Sequence, residues 1–310
     1  MYNARVVAHS MPARGPLSRA YAECETLARS HYENFPVASW LLPRPMRPHV
    51  AALYAFARVA DDLADEGAAP AVERQRDLSA WQRRLHQAVA GGPPSESAIV
   101  AMDRGDMILT AVADSIRTLD LPLQLFDDLV SAFGQDTMTN RYGSWPDVLD
   151  YCRRSANPVG RLVLRIGGYR DTVLDGSSDA LCTALQLTNF WQDFGRDWRA
   201  GRLYVPREAQ VDAGADETEL AGGVISQAWG RALEHCMTVT RDLFREGRAV
   251  CDGVRGRLRA ELRFTWLGGM RILDRVERDR LSLFEYRPTL GAGDVPVLLW
   301  RAARWKRARV

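Results

Sequence analysis

Two aspartate-bearing segments could carry chemistry, because each places two carboxylates four residues apart. The first holds Asp61 and Asp65. The second holds Asp193 and Asp197, with Asn189 four residues before Asp193. On an α-helix this spacing puts side chains on one face, with about 5–6 Å between Cβ atoms. Oxygen-only ligands favour Mg²⁺ or Ca²⁺ over zinc, and Mg²⁺ commonly sits between a few carboxylates and substrate phosphates. The spacing therefore predicts two metal-binding helix faces.

Repulsion within each pair supports this interpretation. Two carboxylates about 6 Å apart repel by roughly 3 kcal/mol at an effective dielectric near 20, so each pair needs a cation. Residues 180–192 carry no charge and are mostly apolar, which indicates that the second pair ends a buried helix. The alternative is that each pair is an exposed helix end. Two such pairs, both within apolar helical sequence, favour the cation.

The elements that must position these pairs are predicted to be helices throughout, since no run alternates with the period of a strand. We predict one all-α domain over residues 1–310, with a loose arm at 1–17 and a basic tail at 295–310. Ser95 or Ser97 is expected to begin one helix, and Ser144 with Asp147 predicts a capping box at another. Gly67 suits the position that follows a helix end. The expected helices are 17–30, 49–66, 73–90, about 97–119, 121–138, 144–166 with an interruption at 157–158, 179–198, 225–250 and 257–280.

Composition narrows the class of protein. The chain has 310 residues, 46% of them hydrophobic, and a net charge of +2, which argues against general nucleic-acid binding. Its five cysteines are scattered without metal-binding spacing, so we expect reduced thiols in a cytoplasmic protein. No signal peptide or membrane-spanning run is present in the sequence.

The C-terminal tail has a different character. Leu298, Ala302 and Trp305 fall on one helical face, and five basic residues lie in the last ten positions. This combination predicts peripheral contact with an anionic membrane surface at the inner face. A frayed basic terminus is the alternative.

Three motifs carry a family resemblance. They are Tyr54-Ala-Phe-Ala-Arg58-Val-Ala-Asp61-Asp62-Leu-Ala-Asp65, Gln186-Leu-Thr-Asn189-Phe-Trp-Gln192-Asp193-Phe-Gly-Arg-Asp197, and Arg199-Ala-Gly-Arg-Leu-Tyr204-Val-Pro206. From about residue 28 to 285 the chain resembles the squalene/phytoene synthases, which join prenyl groups head to head. The resemblance implies a single-domain isoprenoid-synthase fold, with helices around a deep central cavity. It also implies Mg²⁺ bridging the two aspartate helices to a prenyl diphosphate.

The resemblance also implies roles for individual residues. The metal ligands would be Asp61, Asp65, Asn189, Asp193 and Asp197. The catalytic set would be Asp61, Asp65, Asp193, Asp197 and Arg58. The substrate-binding residues would be His31, Asn34, Tyr54, Arg58, Gln186, Asn189 and Gln192. Aromatic residues could stabilise a carbocation, although core packing is the alternative for each: Tyr32, Phe35, Phe56, Phe133, Phe190 and Trp191.

Two departures from the family pattern point to a branch. Relatives often have arginine where this chain has Gln192, and tyrosine where it has Gly269. Glutamine cannot bind phosphate bidentately as guanidinium does, which suits an enzyme handling one diphosphate rather than two. Segments 31–37, 155–160 and 266–269 resemble the hydroxysqualene synthase branch of hopanoid biosynthesis, which implies water capture of a carbocation and coupling to other squalene-pathway enzymes. Asn157, Asn34 and Gln192 are candidates to hold the water.

Other functions remain open on sequence alone. The nearest are presqualene diphosphate synthase, which joins two farnesyl diphosphates, and phytoene synthase. An NADPH-reducing squalene synthase is disfavoured because no GxGxxG follows a strand. A non-catalytic helical partner would not need intact aspartates. A metal-storage bundle would use Glu-x-x-His motifs, which the five histidines do not form.

Overall fold

The computed structural model describes residues 16–30, 41–65, 67, 69–95, 98–99 and 101–305. The expected diphosphate contacts His31 and Asn34 lie outside these ranges. So do the aromatic candidates Tyr32 and Phe35, and most of the arm at 1–17. These predictions stay predictions.

Within the described ranges the protein is all-α, as predicted. The one β feature there is an isolated bridge between Arg141 and Leu203. The chain forms two compact units: unit 1 comprises 1–138 and 158–171, and unit 2 comprises 139–157 and 172–310. Neither unit is continuous in sequence. The prediction of one domain over 1–310 stays a prediction. No helix in the described part is both long and apolar enough to cross a membrane.

Unit 1 is a helical bundle around an aromatic centre. Phe56 stacks on Trp81 with ring centroids 5.7 Å apart and meets Phe126 edge-on at 5.4 Å. Phe56 is fully buried, so it packs the core of this unit. A 3-10 turn spans Arg44–Met46. The helices are α1 (Pro16–Ser30), α2 (Arg47–Asp65), α3 (Ala71–Ala90), α4 (Arg104–Leu119), α5 (Leu123–Asp136) and α7 (Asn157–Ile166), whose first residue belongs to unit 2.

Unit 2 packs around its longest helices, which are α8 (Thr172–Gln192), α12 (Gln227–Gly247) and α14 (Gly256–Arg278). Trp191 is fully buried, and its indole N–H donates to Thr240 Oγ1 at 2.9 Å. Phe190 stacks on Tyr204 with centroids 3.7 Å apart. Both aromatic candidates on α8 therefore pack the interior. A 3-10 turn spans Arg280–Ser282. The helices are α6 (Trp145–Ser155), α8 (Thr172–Gln192), α9 (Phe194–Arg199), α10 (Arg207–Ala213), α11 (Glu217–Leu220), α12 (Gln227–Gly247), α13 (Val250–Gly253), α14 (Gly256–Arg278) and α15 (Asp294–Ala303).

The observed helix ends match the predicted ones where the capping residues are close in sequence to the end they cap. The capping box of Ser144 and Asp147 is present at the start of α6, and Gly67 has φ +85° just after α2. The prediction of one helix running from Ser95 or Ser97 to 119 was right about a cap at Ser95 and wrong about continuity. The Ser95 hydroxyl accepts from the Ala98 N–H at 3.3 Å, and residues 98–99 are helical. Residues 101–103 are not helical, and α4 begins at Arg104, where Asp103 accepts from the Asp106 N–H.

Candidate active site

One face of α2 gathers four of the expected site residues. Tyr54, Arg58, Asp61 and Asp65 recur at intervals of four, three and four residues, so they form one stripe along the helix. The core-facing positions of α2, such as Phe56, lie on the opposite face. Because the apolar face of α2 is buried in the core, the polar stripe lies on the side of the helix away from the core.

Arg58 supplies a cation to this stripe. Its guanidinium lies 3.5 Å from Asp61 Oδ2 and 2.5 Å from Asp62 Oδ1, and the Arg58 side chain is only 29% exposed. The pairing offsets part of the repulsion between neighbouring carboxylates. Asp61 remains 44% exposed, so its carboxylate stays accessible to a further ligand.

The C-terminal end of α2 is held by a residue that sequence reasoning missed. Arg74 donates to the carbonyl oxygens of Ala64, Gly67 at 2.6 Å and Ala69 at 2.9 Å. The last carbonyls of a helix have no partners within the helix and carry partial negative charge. Arg74 therefore fixes and partly neutralises the helix end that presents Asp65.

The second aspartate segment is not one continuous helix as predicted. It begins at Thr172, seven residues before the predicted start, and α8 ends at Gln192. Asp193 leaves helical geometry at φ −95°, ψ 9°, and α9 then begins at Phe194. Gln186, Asn189 and Asp193 still share one face, and Asn189 Nδ2 donates to Asp193 Oδ2 at 2.9 Å.

Asp193 has a cationic partner that the sequence did not reveal. The Arg287 guanidinium donates from Nε to Oδ1 and from Nη2 to Oδ2 of Asp193, the latter at 2.9 Å. Arg196 Nη1 lies farther away, 3.7 Å from Oδ1. The hydrogen bonds that Arg287 donates to Asp193, with a further contribution from the charge of Asp197, raise the pKa of Arg287. The counter-ion expected at this aspartate is thus a fork-shaped guanidinium.

The segment that carries Arg287 is tied to the second aspartate helix at several points. We call residues 283–288 the Arg287 segment. Gln192, which is buried, donates from Nε2 to the Pro288 carbonyl at 2.5 Å. Arg199 donates to the Phe284 carbonyl at 2.5 Å. At Gly195 a Cβ atom would lie 2.6 Å from the Leu283 oxygen, so only glycine allows this approach.

Gln192 is therefore placed differently from its expected companions. Its side chain lies away from the face shared by Gln186, Asn189 and Asp193, and its amide anchors the Arg287 segment. Asp197, one turn after Asp193, has Arg202 Nε 3.6 Å from its Oδ1. Direct contact of these residues with substrate or metal stays a prediction.

The donor set suits Mg²⁺ by its chemistry. Each face offers carboxylate or amide oxygens and no sulfur or imidazole. In the described part of the chain, no three His, Cys, Asp or Glu residues lie close enough to hold a metal on their own. Mg²⁺ seldom needs such a cage, because it keeps several waters and takes one or two carboxylates plus substrate phosphates. Taken by itself, each face fits a metal that arrives with an anionic ligand.

The squalene/phytoene synthase profile matches residues 28–301. The chain belongs to this family. A hydroxysqualene synthase from Zymomonas mobilis is 36% identical over 214 residues, which cover 69% of this chain and 68% of that protein. A 15-cis-phytoene synthase from Synechococcus elongatus is 29% identical over 291 residues, 89% of each chain.

A solved structure supports the same assignment. The squalene synthase HpnC from Alicyclobacillus acidocaldarius is 38% identical, with a TM-score of 0.76 over 85% of this chain and 95% of that one. The protein therefore has the isoprenoid-synthase fold. Members of the squalene/phytoene synthase family are enzymes that use prenyl diphosphates. The role of the two aspartate faces toward such a substrate stays a prediction.

Proposed function

We propose that this squalene/phytoene synthase relative is a hydroxysqualene synthase. It would convert presqualene diphosphate and water to hydroxysqualene and diphosphate. The main support is the similarity to hydroxysqualene synthases, at 36% identity for the Zymomonas protein. Gln192 adds to this, since it stands where relatives often carry an arginine that could bind a further diphosphate.

We propose Mg²⁺ as the metal, with Asp61 and Asp65 as ligands on α2 and Asn189, Asp193 and Asp197 on the second segment. When bound, Mg²⁺ would neutralise negative charge on the substrate diphosphate. Arg287 does not prevent this role for Asp193 once substrate is bound. A carboxylate has about four lone-pair positions and can serve two partners, and the negative diphosphate would offset the repulsion between the two cations.

Charged and polar side chains of the protein would then stabilise the negative charge that develops on the leaving diphosphate. As the carbon–oxygen bond to the diphosphate breaks, its electron pair leaves with the diphosphate. Arg58 and Arg287 would stabilise that growing charge, because preorganised cations in a poorly solvated site favour the transition state. Tyr54 and Gln186, each on one of the polar faces, would orient the substrate. The remaining carbocation opens its three-membered ring.

Water then forms the new carbon–oxygen bond and releases its proton to the departing diphosphate or to solvent. Two of the candidates for holding that water already use part of their side-chain amides in hydrogen bonds within the protein. Asn157 is buried, and its Oδ1 accepts from Thr183 Oγ1 at 2.9 Å. The Gln192 Nε2 is used by Pro288. Asn157 retains its amide N–H groups as donors and is our preferred candidate.

Phytoene synthase is the second candidate, because the Synechococcus phytoene synthase matches 89% of the chain. Presqualene diphosphate synthase is the third, and it differs by condensing two farnesyl diphosphates. Whichever enzyme makes presqualene diphosphate must supply the substrate of the proposed reaction. We therefore propose functional coupling to a farnesyl-condensing enzyme in the cytoplasm, where the five free cysteines would remain reduced.

Product analysis tests this proposal. Purified protein with Mg²⁺ and no NADPH receives presqualene diphosphate, farnesyl diphosphate or geranylgeranyl diphosphate in separate reactions. A C30 alcohol from presqualene diphosphate alone is the expected result. Presqualene diphosphate formed from farnesyl diphosphate, or phytoene formed from geranylgeranyl diphosphate, would replace the proposal with the corresponding alternative.

Asp61→Asn and Asp193→Asn test the aspartate faces. Each change keeps the side-chain shape but removes a charge, so turnover should fall by at least about a hundredfold with helicity unchanged. Asp128→Asn is the control, because this half-buried aspartate accepts from Gln124 on its own helix α5, outside both aspartate faces. Full activity in either Asp61→Asn or Asp193→Asn would rule out the metal assignment.

A further inference from the structure

Helix α15 is held in one orientation by contacts at both ends. At its start, the buried Asp294 accepts from Arg275 Nη2 at 2.6 Å and from Arg271 Nε at 3.3 Å. Both arginines lie on α14, so α15 cannot rotate about its axis without breaking these ion pairs.

The other end is fixed by Trp305. The guanidinium of Arg248 lies 4.2 Å from its ring centre, and that of Arg263 lies 5.3 Å away. Trp266 meets the same ring edge-on at 5.2 Å. A guanidinium over an indole face is a favourable cation–π contact. These contacts hold the Trp305 ring against Arg248 and against helix α14.

The helix face predicted to meet a membrane therefore packs inward. Leu298 is only 2% exposed, and Trp305 is held as described. The apolar residues on the opposite side are exposed instead: Val297 by 40%, Leu299 by 47% and Trp300 by 56%. A helix that is apolar on both faces requires cover on both, and within the described chain the outer face has none.

The charge around this outer face is uniformly positive. Arg301 follows Trp300 directly, and the Arg304 guanidinium lies 4.7 Å from the Trp300 ring centre. The sequence continues with Lys306, Arg307 and Arg309, and residues 295–310 contain no acidic side chain. Such a surface is complementary to a negatively charged partner.

We propose that the outer face of α15, with Arg301 and Arg304 beside it, binds the surface of an anionic lipid bilayer. Val297, Leu299 and Trp300 would enter the boundary between headgroups and acyl chains, where tryptophan is favoured. Arg301 and Arg304 would lie over the anionic headgroups. The contact is parallel to the surface and needs no membrane-spanning helix.

Vesicle co-sedimentation of the full-length protein tests this proposal. Vesicles of phosphatidylcholine with phosphatidylglycerol should bind the protein, and pure phosphatidylcholine vesicles should bind it at least about tenfold more weakly. Trp300→Glu should reduce binding to the mixed vesicles about tenfold or more, because it places a negative charge at the centre of the face. Raising the salt concentration should also weaken binding.

Val173→Glu is the matched control. Val173 is an exposed apolar residue, at 78%, on α8 rather than α15, so this variant should bind like the parent protein. Equal loss of binding in both variants, or equal binding to neutral and anionic vesicles, would overturn the proposal. A dimer in solution that Trp300→Glu dissociates, without vesicle binding, would assign the face to a second copy instead.

Discussion

Arg287 forms two hydrogen bonds with the carboxylate of Asp193, although 94 residues separate them in sequence. Both side chains are mostly buried, with 22% and 16% of their surfaces exposed. In this structure the guanidinium holds the position at which a cation was expected from the sequence. Arg287 and a metal ion would therefore compete for Asp193 when no substrate is present.

Arg287→Gln is expected to make Mg²⁺ more stabilising in the absence of substrate. Without Mg²⁺, the variant should be less stable by about 1–2 kcal/mol, because a charged hydrogen-bond pair is lost at a partly buried site. With Mg²⁺, the metal replaces the lost cation and part of that stability returns. Thermal unfolding in EDTA and in Mg²⁺ measures both effects.

Arg196→Gln serves as the control for this experiment. Arg196 approaches the same carboxylate but is 68% exposed and lies 3.7 Å away, so its loss should change stability by under about 0.5 kcal/mol. An Arg287→Gln protein that melts like the parent in EDTA and gains no more from Mg²⁺ would exclude competition.

Gln192→Ala is expected to act on Asp193 indirectly, through the Arg287 segment. The change removes the hydrogen bond to Pro288 and should cost about 1–2 kcal/mol. Because Gln192 and Arg287 hold the same segment, the double variant should lose less stability than the two single variants together, by about 0.5 kcal/mol or more. Urea unfolding of the four proteins gives this coupling.

Gln210→Ala is a matched comparison for that cycle. Gln210 is also buried and also donates to a backbone carbonyl, that of Val205 at 2.8 Å. Within the described residues its side-chain hydrogen bonds are with Arg207 and Val205 rather than with the Arg287 segment, so its effect should simply add to that of Arg287→Gln. Additive behaviour of Gln192 as well would show that it does not position Arg287.

Gly195→Ala should displace the Arg287 segment. The added Cβ would lie 2.6 Å from the Leu283 oxygen and 2.9 Å from the Phe284 Cα, both backbone atoms that must move. We expect a loss of about 1–3 kcal/mol. Gly134→Ala, in helix α5 with no atom within 4 Å of the new Cβ, should instead raise stability by up to about 1 kcal/mol. Calorimetry of both variants separates crowding from helix propensity, and a stable Gly195→Ala would contradict the close approach.

Glu261 predicts a pH dependence of stability. Desolvation raises the pKa of this buried carboxyl to about 8, and within the described residues its Oε2 makes no hydrogen bond. The unfolded chain has the ordinary value near 4.3. The folded state therefore keeps a proton that the unfolded state loses, so stability falls as pH rises from about 4.3 to about 8.

Glu261→Gln should remove this contribution. Between about pH 6 and pH 8 the parent protein should lose about 2 kcal/mol more than the variant. Glu246→Gln, a change at an exposed glutamate, should leave the profile unchanged. Parallel pH profiles for the parent and Glu261→Gln would show that Glu261 is ionised in the folded protein.

Features that depend on neighbouring residues were predictable from the sequence. The capping box of Ser144 and Asp147 satisfies backbone groups within one turn, and Gly67 adopts a positive φ for a local reason. The polar stripe of α2 follows from helical periodicity alone. The starts of α4 and α8 were missed, because several capping residues were available and packing selected among them.

Features that depend on distant residues were not predictable. Nothing in the sequence around Arg287 indicates that it reaches Asp193. The contact forms only because the Arg287 segment packs against helix α9 in the folded chain. The same holds for Arg74 at the end of α2. The inward face of α15 was assigned wrongly because both of its faces are apolar, and only the ion pairs of Asp294 and the stacking of Trp305 decide which one is buried.

Arg74 has a consequence for the kinetics of association. A helix C-terminus carries a negative electrostatic potential, which would repel an anion approaching Asp65. Three carbonyl oxygens at and beyond the end of α2 accept from Arg74, so that potential is partly cancelled. Because the guanidinium is in contact with solvent, salt screens its field. Capture of anions near Asp65 should therefore slow as ionic strength rises, even though no anion need touch Arg74.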